Sequence, residues 1–230
     1  MIYVGIDDTD TLDTPGTNQL ARALSARVAS VCETVLIVRH QLLYDSRIPY
    51  TSKNGSASIL LKALGSVDLE SLIHDLRVEM LDWFKPGSDP GLCVTASVAT
   101  EVQNFGLRCQ REVVTQDDAR SLAKIHGLHL EGLGGTEGGV IGALAAVGLI
   151  ATGNDGRIVQ LGTWPDDMSG VQNVATLHER EIELREMGTN KSIAAGTMDV
   201  GKHLRPNYRN HKAVLFASMH EGTWQAVRLP

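Results

Sequence analysis

Three carboxylates, Asp7, Asp8 and Asp10, crowd into four positions directly after the apolar run Ile2 to Ile6. Bare anions at that spacing repel one another. A divalent cation removes the repulsion, and hard carboxylate oxygens suit Mg²⁺. The chemistry this suggests is the handling of a metal-bound phosphoryl group. The competing reading is a solvated, acidic, turn-rich loop. Thr17 follows shortly after, behind Pro15-Gly16. A second unusual stretch runs from Gly132 to Gly142, with six glycines in eleven residues ahead of an Ala-rich segment. Without a Cβ, Gly138, Gly139 and Gly142 let backbone amides close on a phosphate, and a helix end adds its dipole. The spacing matches neither G-x-G-x-x-G nor G-x-x-x-x-G-K-[ST], so a generic nucleotide motif is absent. Close helix packing is the alternative use of these glycines.

Two basic stretches accompany them. Asp45 to Gly55 carries Arg47 and Lys53 and ends in the turn signal Asn54-Gly55, which also suits a plain hairpin. Lys202 to Lys212 is the densest basic run and includes Tyr208. Such a run meets phosphates, with Tyr208 available for stacking, or is simply a solvated loop. His126 and His129 fall on either side of a predicted helix end and read as ordinary residues.

The elements that must position these groups follow from periodicity. Ile2 to Ile6 reads as a buried strand, and ligands collect beyond the carboxyl ends of such strands. Leu20, Leu24, Val28 and Val31 mark a helix that should start near Thr17 or Asn18, both good caps. Thr34–Val38, Ala57–Leu61, Leu92–Val98 and Arg157–Leu161 read as strands. Leu69, Leu72, Ile73, Leu76, Met80 and Trp83 predict a second helix that stops at Lys85-Pro86-Gly87. Thr115 to Asp118 has a capping-box pattern, and Gly127 fits the end of that helix. Val174–Arg185 reads as helical, Lys191–Met198 as extended, and Ala213–Ser218 with Thr223–Val227 as a closing hairpin. The expectation is an α/β (α+β) fold with a mixed sheet and a ferredoxin-like region around 60–125.

The chain has 230 residues, 43% hydrophobic and 21% charged, with net charge −6, which argues against a broad basic nucleic-acid surface. Cys32, Cys93 and Cys109 form no C-x-x-C pair, so neither a disulfide framework nor a zinc finger is expected. No apolar run approaches the roughly 20 residues that span a bilayer. With no charged leader either, a cytoplasmic protein without a membrane partner is expected.

Four motifs occur in order: Gly5-Ile-Asp-Asp-Thr-Asp10, Ile48-Pro-Tyr-Thr-Ser-Lys-Asn-Gly55, Asp89-Pro-Gly91 and Gly139-Val-Ile-Gly-Ala-Leu-Ala-Ala-Val-Gly148. Together they resemble the N-terminal half of the archaeal tRNA(Ile2) 2-agmatinylcytidine synthetase family. The resemblance implies a kinase-like domain that binds ATP and Mg²⁺, with Asp7, Asp8 and Asp10 as catalytic and metal residues. It places Thr17 at the position of a threonine that becomes phosphorylated, and sets Gly138, Gly139 and Gly142 beside nucleotide or substrate. Lys53, Asn54 and Gly55 are carried over as nucleotide- or substrate-binding residues. The family's OB-fold and zinc ribbon are not expected within this sequence.

The resulting expectation is an ATP- and Mg²⁺-dependent phosphoryl-transferring enzyme, kinase- or ligase-like, whose acceptor is RNA or a small polar metabolite. Residues 1–60 and 126–165 would form the nucleotide-binding domain, 61–125 the ferredoxin-like region and 166–230 a C-terminal extension. A homo-oligomer or a separate RNA-binding subunit would fit this expectation as a partner. Two alternatives stand beside this: a non-catalytic nucleotide- or RNA-binding subunit, and a haloacid dehalogenase-like phosphatase, since Asp8-Thr-Asp10 approaches that nucleophile pattern.

Overall fold

The aliphatic and β-branched runs become strands of one mixed sheet, and the amphipathic runs become helices laid on it. The computed structural model describes residues 1–7, 9, 16–48 and 54–229. Its first half contains β1 (Ile2–Asp7), α1 (Thr17–Arg27), β2 (Cys32–Arg39), β3 (Ala57–Ala63), α2 (Leu69–Trp83), β4 (Gly91–Thr95), α3 (Thr100–Cys109) and α4 (Gln116–His126). Then follow β5 (His129–Gly132), α5 (Val140–Ala151), β6 (Arg157–Leu161), β7 (Val171–Asn173), α6 (Val174–Glu179), β8 (Glu183–Glu186), β9 (Thr197–Asp199), β10 (Asn207–Arg209), β11 (Lys212–His220) and β12 (Thr223–Ala226). The strand order is β5-β4-β1-β3-β2-β6-β10-β11-β12-β9-β7, with β8 pairing β11. Most pairs are antiparallel; β11–β8 and β12–β9 are parallel. The mixed α+β sheet expected from the sequence is therefore present.

Alternation along β1 sets the layers. Ile2, Val4 and Ile6 point toward α1 and α2, where they pack with Leu20, Leu24, Leu72, Leu76 and Met80. Each fully buried aliphatic side chain of this kind contributes roughly 1.5–3 kcal/mol. The opposite face is covered by α5, whose residues are apolar all round and almost all buried, as a helix enclosed on every side must be. Gly5 lets α5 approach: a Cβ there would sit 2.0 Å from the Ala143 carbonyl oxygen. A third cluster, including Leu36, Val38, Leu60, Tyr208 and Leu215, joins the C-terminal strands to the rest through β6.

Local signals held where turn chemistry is strict. Thr115 and Asp118 form the reciprocal capping box, and Gly127 ends α4 in the left-handed conformation, at φ 65°. Several expectations need correction. Gly16, not Thr17 or Asn18, takes the cap position of α1, so Thr17 is the first helical residue. The region between β4 and α4 forms the helix α3. Helix α6 ends at Glu179, where Glu181 turns to φ 57°, and Glu183–Glu186 is a strand. Most of Lys191–Met198 is irregular, and only Thr197 and Met198 enter a strand. Tyr208 is 3% exposed, packed among apolar side chains, so it offers no stacking surface. Among the described residues no helix is long and apolar enough to cross a membrane.

Candidate functional site

The two unusual stretches meet at one end of the sheet. Asp7 closes β1 and lies opposite Gly91, the first residue of β4. Gly91 in turn packs on the start of α5: a Cβ there would lie 2.2 Å from the Gly139 carbonyl. The Asp7 carboxylate rests against the first turn of α5, and a Cβ on Gly142 would sit 1.7 Å from its Oδ2. A carboxylate in that place gains from the positive end of the helix. Thr9 is buried, and its hydroxyl donates to that of Thr17 at 3.2 Å, tying Thr9 to the start of α1. Asn18, the next residue, keeps its Oδ1 buried without a hydrogen-bond partner. Asp8, Asp10 and Lys53 lie outside the described residues.

Asn54 and Gly55 also emerge at this end, because Ile6 pairs with Ala57 in antiparallel register. They do not form the expected turn. Leu42 donates its N–H to the Asn54 carbonyl at 2.9 Å and His40 to that of Ser56 at 2.9 Å, so residues 40–42 continue the β2–β3 pairing. The Asn54 side chain is used on the Leu43 carbonyl, at 2.6 Å. Gly55 lies against Arg39, whose Nη2 would be 2.7 Å from a Cβ there. Arg47 is held by Asp45 through two bonds, at 2.8 and 2.7 Å. The Arg47 side chain, through its hydrogen bond, holds the Asp45 carboxyl well below the usual carboxylate range.

The glycine-rich loop is already fastened from within. Thr136 donates its N–H to Asp89 at 2.8 Å, and its hydroxyl bonds the other carboxylate oxygen. Gly139 donates to the Asp89 carbonyl at 3.0 Å, and Val140 and Ile141 donate to Glu137 and Gly138. A carboxylate of the chain thus occupies part of the cradle that composition suggested for a phosphate. Gly139 is wedged against backbone, with the Asp89 oxygen 2.2 Å from a Cβ position. Gly138 is looser, since its nearest neighbours to such a Cβ are at 3.4 and 3.5 Å.

Sequence reasoning missed a polar chain across the sheet. His40 Nδ1 lies 2.6 Å from Asp155 and Nε2 2.7 Å from the Ser58 hydroxyl. That is the connectivity of a nucleophilic triad, but Ser58 and His40 are both 0% exposed, so no substrate reaches the hydroxyl. The chain pins β2 and β3 to the turn before β6. Burial pushes the Asp155 carboxyl up, but the bond and charge of His40, with Gln110 and Arg209, outweigh it and leave it below its usual value. The cysteines offer no nucleophile either: all three are buried, and burial pushes the Cys109 thiol up to about 12. A separate cavity of about 420 Å³ opens beside α1 and β6, and among the described residues none of the expected site residues lines it. Its charges are matched internally: Asp166 holds Arg22 and Arg205, and Arg180 pairs with Asp167 while lying 4.8 Å over Trp164.

The architecture that carries this site is one found in solved structures of tRNA enzymes. A TiaS–tRNA(Ile2)–ATP complex matches with a TM-score of 0.56 at 24% identity, over 64% of this chain and 36% of that one. A structure of a tRNA fluorescent labelling enzyme gives 0.57 at 25% identity, over 64% and 35%. Apo TiaS, a tRNA(Ile2) agmatidine synthetase, gives 0.57 at 23% identity over the same shares. The resemblance read from the four motifs is thereby borne out in the fold. This chain spans about a third of the length of those proteins. No protein-family model matches it, and no curated protein does.

Proposed function

We propose that the chain is an ATP- and Mg²⁺-dependent phosphoryl-transferring enzyme whose reacting centre lies beyond the end of β1. The observation that carries this reading is the convergence of Asp7, the Thr9–Thr17 pair, residues 54–55 and the start of α5 at one end of the sheet. The donors there are a carboxylate and hydroxyls, the hard oxygens that Mg²⁺ prefers. Among the described residues no three acidic, histidine or cysteine side chains stand placed for a metal. In this reading Asp8 and Asp10 complete the donor set, as the motif resemblance implies. When bound, Mg²⁺ would supply positive charge that offsets the charge of the phosphate.

The chain's own part is positioning and electrostatics. Asp7 is steadied on α5, so the acidic end keeps its geometry as charge moves. Gly138, with room beside it, is the member of the glycine-rich loop suited to approach by a phosphate. In transfer, the bond from the γ-phosphorus to the diphosphate leaving oxygen breaks and one to an acceptor oxygen forms. Thr17 is a candidate acceptor in the chain itself; RNA or a small polar metabolite is the external one. The division into a nucleotide-binding part (1–60 and 126–165), an inserted part (61–125) and a C-terminal extension (166–230) belongs to this proposal, as does a cytoplasmic site of action. The haloacid dehalogenase-like reading has less support, because β1 has antiparallel neighbours on both sides, where that doubly wound sheet is mostly parallel.

Calorimetric titration of ATP with and without Mg²⁺ tests the proposal, on the wild type and on Asp8→Asn. Binding that needs Mg²⁺ and weakens in the variant supports it. No Mg²⁺-dependent binding at millimolar ATP refutes it. Mg²⁺-dependent binding without turnover on any acceptor selects the non-catalytic subunit instead.

A further inference from the structure

The row of the sheet that contains Ile6 continues outward as a basic row. Ile6 faces Ala57, Ala57 faces Arg39, Arg39 faces Arg157, and Arg157 faces Asn207. Directly opposed residues project from the same face. Here it is the α1 face, since Ile37, two residues before Arg39, packs with Leu20 and Leu24. At about 4.8 Å per strand, Arg39 stands roughly 10 Å and Arg157 roughly 14 Å from Ile6, the residue before Asp7. Arg228 reaches the same place over the Gly201 turn, where a Cβ would lie 3.4 Å from its Nη2.

Among the described residues these arginines are unmatched. Arg39 bonds the Gln41 side chain at 3.3 Å, and neither Arg157 nor Arg228 has a carboxylate partner among the described residues. Arg205, close by, is occupied by Asp166 through two bonds of 2.7 Å. Burial lowers the pKa of Arg157, and the charges of Arg39, Arg228 and Arg205 lower it further. Like charges held together in a half-buried place are unfavourable unless an anion joins them. An independent sign comes from Asn207. Its side chain is buried, 1% exposed, yet neither its amide oxygen nor its nitrogen has a hydrogen-bond partner. Buried amides are normally satisfied. Guanidinium forks beside a spare amide donor are the chemistry that binds phosphate oxygens.

We propose that Arg39, Arg157, Arg228 and Asn207 form a phosphate-binding site on the α1 face of the sheet, two to three strands from the Asp7 end. Its ligand is a phosphate group, supplied by a phosphodiester of a polynucleotide or by a phosphate monoester of a small molecule. The inference rests on these four residues and not on ATP binding at Asp7, so either can fail without the other.

The full chain is titrated with an unstructured, fluorescent RNA oligonucleotide followed by anisotropy, and with inorganic phosphate followed by thermal shift. Arg157→Gln and Arg228→Gln are compared with Arg47→Gln, which removes an exposed arginine already paired with Asp45. The first two are expected to weaken RNA binding by about tenfold, and to reduce its salt dependence by about 0.7 in slope per arginine lost. Arg47→Gln is expected to leave both unchanged. If RNA does not bind but phosphate raises the melting temperature of the wild type and not of Arg157→Gln, the source is a phosphate monoester. The proposal is overturned if the wild type binds neither probe, if Arg157→Gln and Arg228→Gln bind both as the wild type does, or if all three variants weaken alike. Arg157→Gln removes a repulsion, so its own melting temperature is expected at or above that of the wild type. A clear fall would mean that Arg157 is already matched, which counts against the site. Arg228 is exposed, so its variant keeps the test decisive if Arg157→Gln does not fold.

Discussion

The contact between Asp7 and Gly142 can be tested by exchanging which residue carries a side chain. All three atoms nearest to a Cβ built on Gly142 belong to Asp7: Oδ2 at 1.7 Å, Cγ at 2.3 Å and Cβ at 2.9 Å. Gly142→Ala should therefore collide first with this one side chain. Overpacking of this sort costs about 1–3 kcal/mol, while replacing a helical glycine by alanine returns about 1 kcal/mol. The net loss in the wild type is expected at about 0–2 kcal/mol. In an Asp7→Gly background the obstacle is gone, and the same change should stabilise by up to about 1 kcal/mol. The coupling between the two sites is then about 2 kcal/mol, well beyond the non-additivity of distant pairs. Urea unfolding of the four proteins reads it, once fluorescence and circular dichroism transitions coincide. With a slope of about 2 kcal/mol per molar, the coupling appears as a shift of about 1 M between backgrounds. If Gly142→Ala shifts the midpoint equally in both, the carboxylate does not lie on the first turn of α5 and the reasoning about the site fails.

Three further outcomes follow. Asp155 has a folded pKa held below its unfolded one, so its contribution to stability is full above about pH 4 and is lost as pH falls through the folded value. Asp155→Asn should cost about 1 kcal/mol at pH 7 and flatten the acid limb of stability. Urea midpoints from pH 7 to pH 3 with the same slope as the wild type would contradict this. Gly139→Val would drive a side chain into the Asp89 carbonyl and the Gly91 nitrogen. It should cost about 3 kcal/mol or more and reduce the folded yield, whereas a fully stable variant that loses only nucleotide affinity would make the loop a direct ligand-binding element. Labelled ATP with Mg²⁺ is expected to place phosphate on Thr17, which peptide mass analysis detects. Its loss in Asp8→Asn supports the catalytic reading, and its absence from the wild type removes Thr17 from the reaction.

What the sequence made legible was local. Alternation placed β1, and turn chemistry placed both ends of α4; the crowding of Asp7, Asp8 and Asp10 with a later glycine-rich stretch pointed to the proposed site. The rest depends on partners far apart in the chain. The His40–Asp155 bond spans 115 positions, and the Arg39–Arg157 pairing exists only through sheet register. Tyr208 illustrates the same gap, because an aromatic in a basic run reads as exposed until the strand carrying it is known to cover a core. The short C-terminal strands, three or four residues each except β11, carry too few alternations for a period to show.

Register also explains why Arg39 and Arg157 stand in one row with Ile6, the residue before Asp7. Pairing between β2 and β3 steps from Thr34–Leu61 to Leu36–Leu60, leaving Val35 as an extra residue. Without that bulge Val38 would stand opposite Ala57, and Arg39 would fall one place beyond the row, with every later side chain of β2 on the other face. The second irregularity, between Ile37–Gln160 and Val38–Ile158, does the same for β6 and brings Arg157 opposite Arg39. A sheet optimised only for burial has no reason to set two arginines side by side with no carboxylate partner among the described residues. Two bulges that bring them there, in line with the residue before Asp7, are more economically understood as positioning charge for a ligand.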